Sequence, residues 1–239
     1  MSDPVLEVRR LTVRFGDTAI LRDLSFAVPA GATLAVIGPN GAGKTVLFRA
    51  LIGSLPYEGH IIWAPRVTLG YVPQKLDLYR DVPITAMDFL RARARLSGAS
   101  ARDVSDAIAS VGLGAEIGAR RIGALSGGQF QRLLVAFALI GAPTVLLLDE
   151  ATAGVDEPGQ ERLNALVHRL QHARNLTVLL ISHELSVVSR YASAVLCLGR
   201  DGAHFDPAPT PLSVAALQAA YGDELAVHVH DHGGAGHPS

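Results

Sequence analysis

The chain has 239 residues, of which 49% are hydrophobic and 18% are charged, so it can bury a core as one large α/β domain or two small ones. Its formal net charge of -1 gives no electrostatic reason to expect nucleic acid as a partner. A single cysteine, Cys197, excludes an internal disulfide framework, and its apolar neighbours predict a buried thiol. The first residues, MSDPVLEV, lack the basic and apolar regions of a signal peptide, so we expect none.

Short apolar runs alternate with helical patterns along the chain. This alternation is typical of an α/β fold, in which a mostly parallel sheet is covered by helices on both faces. The middle of the chain contains helical patterns and no convincing strand, which predicts a helical subdomain inserted at about residues 77–143. The predicted elements, in chain order, are strand Leu34–Ile37, helix Val46–Leu51, helices Ala86–Leu96, Ala101–Val111 and Phe130–Ile140, strand Val145–Leu148, helix Pro158–Ala173 and strand Val178–Ile181.

One apolar stretch could be mistaken for a membrane span. It runs from Leu133 to Leu148 without a charged residue, but Gly141–Pro143 interrupts it, and it is shorter than the roughly 20 residues that a spanning helix needs. The stretch is typical of a buried helix, a turn and a buried strand. We therefore expect membrane association to come only through a partner protein.

A glycine-rich loop lies between the first predicted strand and helix. It matches the pattern G-x-x-x-x-G-K-[ST], whose backbone N–H groups surround phosphate at a helix N-terminus. We expect the lysine to reach the β- and γ-phosphates of a nucleotide and the threonine hydroxyl to ligate Mg²⁺. The residues of this loop are Gly38, Pro39, Asn40, Gly41, Ala42, Gly43, Lys44 and Thr45.

Two adjacent carboxylates, Asp149 and Glu150, follow the predicted strand Val145–Leu148. Ligands of open parallel sheets bind at the carboxyl ends of the strands, which is where these side chains are expected. We expect Asp149 to hold Mg²⁺, directly or through water. Glu150 is then predicted to polarise the water that attacks the γ-phosphate.

A third motif, Leu125-Ser126-Gly127-Gly128-Gln129, precedes the long apolar helix, and its serine and glutamine have the spacing of a capping box. Together with the phosphate loop and the acidic pair, this peptide resembles the signature sequence of ABC ATPases. The resemblance covers nearly the whole chain. It implies a P-loop NTPase core of the ABC type, which adds an N-terminal antiparallel β part to the mostly parallel sheet, and it implies ATP and Mg²⁺ as cofactors.

The resemblance also implies roles for single residues. Phe15 matches the aromatic that stacks on adenine, although a core aromatic is the alternative. Gln74 matches the glutamine that senses Mg²⁺ and the attacking water and faces the membrane partner, and His183 matches the switch histidine at the γ-phosphate. Gly154-Val155-Asp156 matches the loop that crosses the dimer interface. The implied catalytic residues are therefore Lys44, Gln74, Glu150 and His183, and the implied Mg²⁺ site is Thr45, Gln74 and Asp149.

The family further implies how the molecule assembles. Two chains would form a head-to-tail homodimer in the ATP-bound state, in which Ser126, Gly127, Gly128 and Gln129 of one chain complete the nucleotide site of the other. The dimer would bind an integral membrane permease at the cytoplasmic face of the membrane, and an extracytoplasmic substrate-binding protein would take part indirectly. Residues 1–225 would form the ATPase domain.

Finer features resemble the zinc and manganese uptake branch of the family. The segment between Lys44 and Gln74 is short, and the sequence from Gly70 to Tyr79, followed by Pro83-Ile84-Thr85, is similar to that branch. The function expected is ATP hydrolysis that powers import of zinc or manganese. Another cargo, such as iron chelate or haem, and a soluble ABC ATPase without a transport role remain as alternatives.

The last part of the chain, residues 226–239, is rich in histidine. Residues two apart on an extended chain face the same side, so three of these imidazoles could together chelate Zn²⁺. A solvated, disordered terminus is the alternative interpretation. The histidines concerned are His228, His230, His232 and His237.

Two positions depart from the family pattern. Val46 stands where a second serine or threonine commonly donates a hydrogen bond to phosphate, and loss of such a bond to a charged group costs about 1.5–3 kcal/mol. Weaker ATP binding is therefore expected. Ala151 replaces the proline that follows the catalytic glutamate, which is expected to loosen the backbone there.

Overall fold

The computed structural model describes residues 4–74, 82–151, 155–199 and 202–206. The strands in these ranges are β1 (Pro4–Phe15), β2 (Thr18–Pro29), β3 (Thr33–Ile37), β4 (Glu58–Trp63), β5 (Leu69–Val72), β6 (Val145–Asp149), β7 (Thr177–Ile181), β8 (Ala194–Gly199) and β9 (Gly202–Asp206). The α-helices are α1 (Lys44–Leu51), α2 (Ala86–Ser97), α3 (Ala101–Ser110), α4 (Gly127–Leu139), α5 (Glu157–Arg174) and α6 (Leu185–Tyr191).

The strands form two sheets. The larger sheet has the order β5-β6-β7-β3-β8-β9 and is parallel except for the pair β8 and β9. The smaller sheet, β2-β1-β4, is antiparallel. The α/β class, the mostly parallel sheet and the N-terminal antiparallel part expected from the sequence are therefore confirmed.

The central strands β3, β6 and β7 are buried at every position, which explains their continuous apolar sequence. Successive side chains point to opposite faces of the sheet. Leu34 and Val36 pack in a cluster with β1, β2 and α1, whereas Ala35 and Ile37 pack in a second cluster with α2 to α6. The sheet thus separates two hydrophobic cores.

Two threonines tie β5 to β6 at the amino ends of the strands. The backbone N–H of Thr68 donates to Oγ1 of Thr144 at 3.1 Å, and the backbone N–H of Thr144 donates to Oγ1 of Thr68 at 3.2 Å. These reciprocal bonds fix how the two strands align. In this alignment Val72, the last residue of β5, pairs with Leu148, immediately before Asp149.

Helices α2, α3 and α4 lie in the sequence between β5 and β6, as the helical pattern predicts. Each begins with a capping box, formed by Thr85 with Asp88, Ser100 with Asp103, and Ser126 with Gln129. Two short 3-10 segments, Ala115–Ala119 and Ile122–Ala124, connect α3 to α4. The capping box expected at Ser126 is therefore confirmed.

The other elements predicted from the sequence are present, with ends that differ by no more than three residues. The predicted elements do not include β1, β2, β4, β5, β8, β9 or α6. In β5 and β9, Gly70 and Gly202 interrupt or begin a short strand, and neither strand shows an apolar run. Cys197 is buried in β8, as expected. No helix in the described ranges is long and apolar enough to cross a membrane.

Candidate ATP-hydrolysing site

Three neighbouring strands bring the predicted site together. Strands β6, β7 and β3 are adjacent and parallel, so their carboxyl ends lie at one edge of the sheet. The glycine-rich loop follows β3, Asp149 ends β6, and His183 lies two residues beyond β7. Residues far apart in the sequence thereby reach one another.

The glycine-rich loop curls around the head group of Lys44. The ammonium Nζ donates hydrogen bonds to the carbonyl oxygens of Gly38 at 2.6 Å and Pro39 at 3.0 Å. Burial lowers the pKa of Lys44, while the negative charges of Glu150 and Asp149 act in the opposite direction. The loop thus holds a buried cation beside two carboxylates, a setting suited to a phosphate chain.

Gly43 explains why the loop needs glycine directly before α1. Its backbone is left-handed, with φ of 96°, and a Cβ atom there would lie 2.9 Å from Cδ2 of Leu21. A side chain at this position would be both strained and crowded. Gly43 therefore lets the loop turn into the helix N-terminus, where Lys44 and Thr45 begin α1.

Asp149 accepts hydrogen bonds from two hydroxyl groups. Thr45 Oγ1 donates to Oδ1 at 3.1 Å, and the Tyr71 hydroxyl donates to Oδ2 at 3.2 Å. Burial raises the pKa of Asp149, and the two hydrogen bonds oppose this rise. A hydroxyl and a carboxylate side by side are hard oxygen donors of the kind that Mg²⁺ prefers, so these residues fit the ion that the sequence predicts.

Glu150 lies at the centre of the remaining groups. Its Oε2 accepts a hydrogen bond from the amide of Gln74, and its Oε1 lies 2.5 Å from Nε2 of His183. The hydrogen bond with His183 is the largest of several contacts that lower the pKa of Glu150, so this carboxylate stays ionised. An ionised carboxylate with a second lone pair on each oxygen can accept a proton from water.

The backbone of Glu150 is itself unusual. Its φ is 47°, a left-handed conformation that is uncommon for residues other than glycine. Strained conformations of this kind concentrate at functional sites, because the surrounding structure must hold them in place. Ala151, which follows, is buried in the helical core cluster.

The signature motif lies apart from the phosphate loop. Ser126 is exposed, and Ser126, Gly127 and Gly128 line a cleft of about 1050 Å³ beside α5. The phosphate loop lines a different cavity, of about 550 Å³, with residues of β2. Gln129 accepts hydrogen bonds from the backbone N–H of Ser126 and from Arg120.

The other predicted nucleotide contacts lie at the surface or beside the loop. Phe15 ends β1 with half of its side chain exposed, which excludes the alternative of a core aromatic. Val46 is half-buried in α1 and packs on the core beside β1 and β2. Val155 is buried, and Asp156 stands at the N-cap position of α5 without a capping hydrogen bond from its side chain. Gly154 and the histidines His228, His230, His232 and His237 lie outside the described residues.

Tyr71 contacts Asp149 in this site, and the sequence alone does not reveal that contact. It appears in the sequence only as part of the Gly70–Gln74 resemblance, with no role of its own. Its position in β5, the strand next to β6, directs its hydroxyl to Asp149. The available signal was a tyrosine three residues before Gln74, but only the strand pairing shows its partner.

The strand order, the phosphate loop and the carboxylates at the carboxyl edge define an ATP-hydrolysing α/β domain of the P-loop class. A family model described as "ABC transporter" matches residues 21–153 of the chain. This protein belongs to the ABC transporter family and is an ATPase of that family.

Curated relatives and solved structures agree with this assignment. The chain is 40% identical over 195 residues to the zinc import ATP-binding protein ZnuC of Roseobacter denitrificans. The aligned region covers 81% of this chain and 75% of the relative. It is 38% identical over 229 residues to zinc import ATP-binding protein ZnuC 2 of Hahella chejuensis, covering 93% and 92%. A chain from an ABC transporter assigned to the metal-chelate type, in an inward-facing conformation, superposes with a TM-score of 0.81 at 25% identity, covering 91% of this chain and 89% of that one.

Proposed function

We propose that this chain powers the import of a divalent metal ion, zinc or manganese, through a separate membrane permease. Two relatives that match 81% and 93% of its length are named as zinc import ATP-binding proteins. The observation that supports the ATPase role most directly is the ionised Glu150, held between Gln74 and His183 beside the buried Lys44. The cargo is proposed from the relatives, since no residue of an ATPase site needs to contact it.

The proposed mechanism assigns one task to each side chain. Lys44 and the loop N–H groups bind the β- and γ-phosphates of ATP. Glu150 orients the attacking water and accepts its proton, while Gln74 and His183 hold the carboxylate in position. His183 also contacts the γ-phosphate and shares its N–H between this group and Glu150, which stabilises the negative charge that develops as the bond to ADP breaks.

The Mg²⁺ that accompanies ATP would be held by Thr45 and Asp149, with Gln74 nearby. When bound, such an ion neutralises charge on the β- and γ-phosphates. The chain prepares this site by aligning Thr45 and Tyr71 on the two oxygens of Asp149. We propose that this alignment sets the affinity for the ion.

A second copy of the chain would complete each nucleotide site. The exposed Ser126 at the N-terminus of α4 and its separation from the phosphate loop of the same chain support this arrangement. Helix N-termini attract anions, so Ser126, Gly127 and Gly128 are suited to the γ-phosphate bound by a partner chain. Phe15 is proposed to stack on the adenine.

The proposed assembly lies at the cytoplasmic face of the membrane, attached through the permease and served by an extracytoplasmic substrate-binding protein. In this proposal residues 1–225 form the ATPase domain, residues 77–143 its helical subdomain and residues 226–239 a histidine-rich tail. A metal chelate is the second candidate cargo, because the structure superposed above belongs to a transporter assigned to that type.

Replacement of the proposed base tests the function. Glu150→Gln removes the proton acceptor while keeping the size of the side chain, so we expect ATP hydrolysis to slow by roughly 10² to 10⁴, the usual contribution of a general base. ATP-dependent dimerisation, followed by light scattering, should persist. Cells that carry only this variant should lose the ATP-driven uptake of radioactive zinc or manganese.

The matched control is Glu58→Gln, because Glu58 is an exposed glutamate of β4 paired with Arg14 at the surface. This variant should retain both hydrolysis and uptake. Normal turnover by Glu150→Gln would refute the assigned chemistry. Loss of hydrolysis with unchanged zinc and manganese uptake in cells lacking the native gene would refute the cargo.

A further inference from the structure

Two histidines face each other on α5, away from the nucleotide site. His168 and His172 are four residues apart, so one helical turn places them on the same side of the helix. Their Nε2 atoms are 3.0 Å apart and their ring centroids 4.4 Å apart. His172 is exposed and His168 is half-buried, so both rings can be reached from solvent.

The separation of the two nitrogens is close to what a metal ion requires. Zinc binds imidazole nitrogen at about 2.0–2.1 Å, so two ligands of a tetrahedral ion lie about 3.3 Å apart. The observed 3.0 Å is slightly shorter than this, so the two rings must rotate until both nitrogens point at one ion. In the structure one ring must donate N–H to the other, and a metal would replace that shared proton.

Neighbouring residues hold one of the rings in place. The ring of Tyr191, at the end of α6, packs on His168 with centroids 5.1 Å apart. Arg190 of α6 also bonds Glu161 of α5 at 3.2 Å, which joins the two helices beside the pair. Burial is the largest cause of a lowered pKa at His168, followed by the charges of His172 and Arg190, so this imidazole favours its neutral, metal-binding form.

We infer that His168 and His172 together bind one divalent transition metal ion, of the zinc type, on the exposed side of α5. Imidazole nitrogens suit zinc, copper and nickel better than magnesium or calcium, which prefer oxygen. In the described ranges no group of three or more histidine, cysteine, aspartate or glutamate side chains is placed to hold a metal. Water therefore fills the other positions, and the ion exchanges readily.

The site would lie against the helix that follows His183. Helix α6 begins at Leu185, two residues after that histidine, and ends at Tyr191, whose ring covers His168. Metal binding at this surface of α5 does not depend on which cargo the transporter moves. If the proposed transport function were wrong, the metal site on α5 could still exist. If the metal site were wrong, the transport function would be unaffected.

Titration with zinc alone tests the site. The parent should be the full chain with His228, His230, His232 and His237 replaced by asparagine, so that the tail does not bind the probe. Isothermal titration calorimetry should then show one fewer zinc ion per chain in His168→Asn and in His172→Asn than in this parent. Far-UV circular dichroism should show an unchanged helix content in each variant. His172 is exposed, so its replacement disturbs no core.

The matched control is His60→Asn, because His60 is an exposed histidine on β4. This variant should bind as many zinc ions as the parent. Crystals of the full chain soaked in zinc should show an anomalous peak about 2.0–2.1 Å from both Nε2 atoms. Equal zinc stoichiometry in the parent and His172→Asn, or no peak between the two rings, would overturn the inference.

Discussion

Two hydroxyl groups position the carboxylate of Asp149, and they come from different elements of the fold. Thr45 arrives from α1, immediately after the phosphate loop, and Tyr71 arrives from β5. The hydrogen bonds oppose the rise in the pKa of Asp149 that burial causes, so they help to keep the carboxylate ionised. An ionised and oriented aspartate is what a cation beside ATP requires.

We predict that Tyr71→Phe weakens the use of Mg²⁺ without abolishing hydrolysis. The variant keeps the aromatic ring but loses the donor to Asp149, and loss of such an orienting contact lowers metal affinity about tenfold or more. The Mg²⁺ concentration for half-maximal ATPase activity should rise accordingly. Tyr57→Phe is the control, because Tyr57 is exposed, and an unchanged Mg²⁺ dependence in Tyr71→Phe would contradict the role.

Single residues were predictable from the sequence where their neighbours in the chain define the chemistry. Lys44 and Thr45 belong to one contiguous motif, and Asp149 and Glu150 lie at the end of one apolar stretch, so short segments of sequence identify them. Tyr71 and the pair His168 and His172 differ in this respect. The tyrosine acts across a strand pair, and the helical spacing of the histidines shows a shared face but not how closely their nitrogens meet.

Capping boxes are the feature that three helices share. Ser100 starts α3 and Ser126 starts α4 with the same arrangement, in which the serine side chain accepts from the third helical residue and that residue bonds back to the serine N–H. Both serines therefore stabilise a helix to a similar extent. Only Ser126 belongs to the motif that we propose to contact ATP.

A comparison of Ser100 with Ser126 separates the effect of a helix cap on stability from its effect on ATPase activity. Ser100→Ala and Ser126→Ala should each lower the free energy of unfolding by about 1 kcal/mol, the usual value of a serine cap. Only Ser126→Ala should also lower the ATPase rate. Urea denaturation and a phosphate-release assay measure the two effects, and an equal loss of activity in both variants would show that Ser126 acts only as a helix cap.

Helices and strands are predicted well from the sequence where their apolar pattern is long or continuous. The predicted helices and the three central strands agree with the structure within one to three residues. Strand β5 has only four residues and contains Gly70, so local pattern cannot identify it. Its place in the sheet depends on pairing with β6, which is a contact between distant parts of the chain.

A mixture of two inactive variants tests whether two copies of the chain share each nucleotide site. A Lys44→Ala chain keeps its signature motif and a Ser126→Arg chain keeps its phosphate loop, so a mixed dimer would have one intact site. Each variant alone should hydrolyse little ATP. An equal mixture should recover roughly a quarter of the wild-type rate, because random pairing makes half of the dimers mixed; no recovery on mixing would contradict a shared site.

The overall architecture followed from the sequence because three motifs and one alternating pattern point to the same fold. The domain boundaries and the histidine-rich tail stay predictions, since residues 207–239 lie outside the described ranges. The separation of the signature motif from the phosphate loop of its own chain could not be predicted from spacing. It depends on how the helices between β5 and β6 pack against the sheet.

The hydrogen-bonded threonine pair just before β5 and β6 helps to fix the register of these strands, and with it the position of Asp149. Every residue of β6 is buried, so its apolar side chains would be accepted on either face, and hydrophobicity alone would tolerate a slip of one residue. Such a slip would turn Asp149 away from Thr45 and Tyr71. The hydrogen bonds between Thr68 and Thr144, at the amino ends of the two strands, oppose such a slip. They thereby help to keep Asp149 and Glu150 at the nucleotide site.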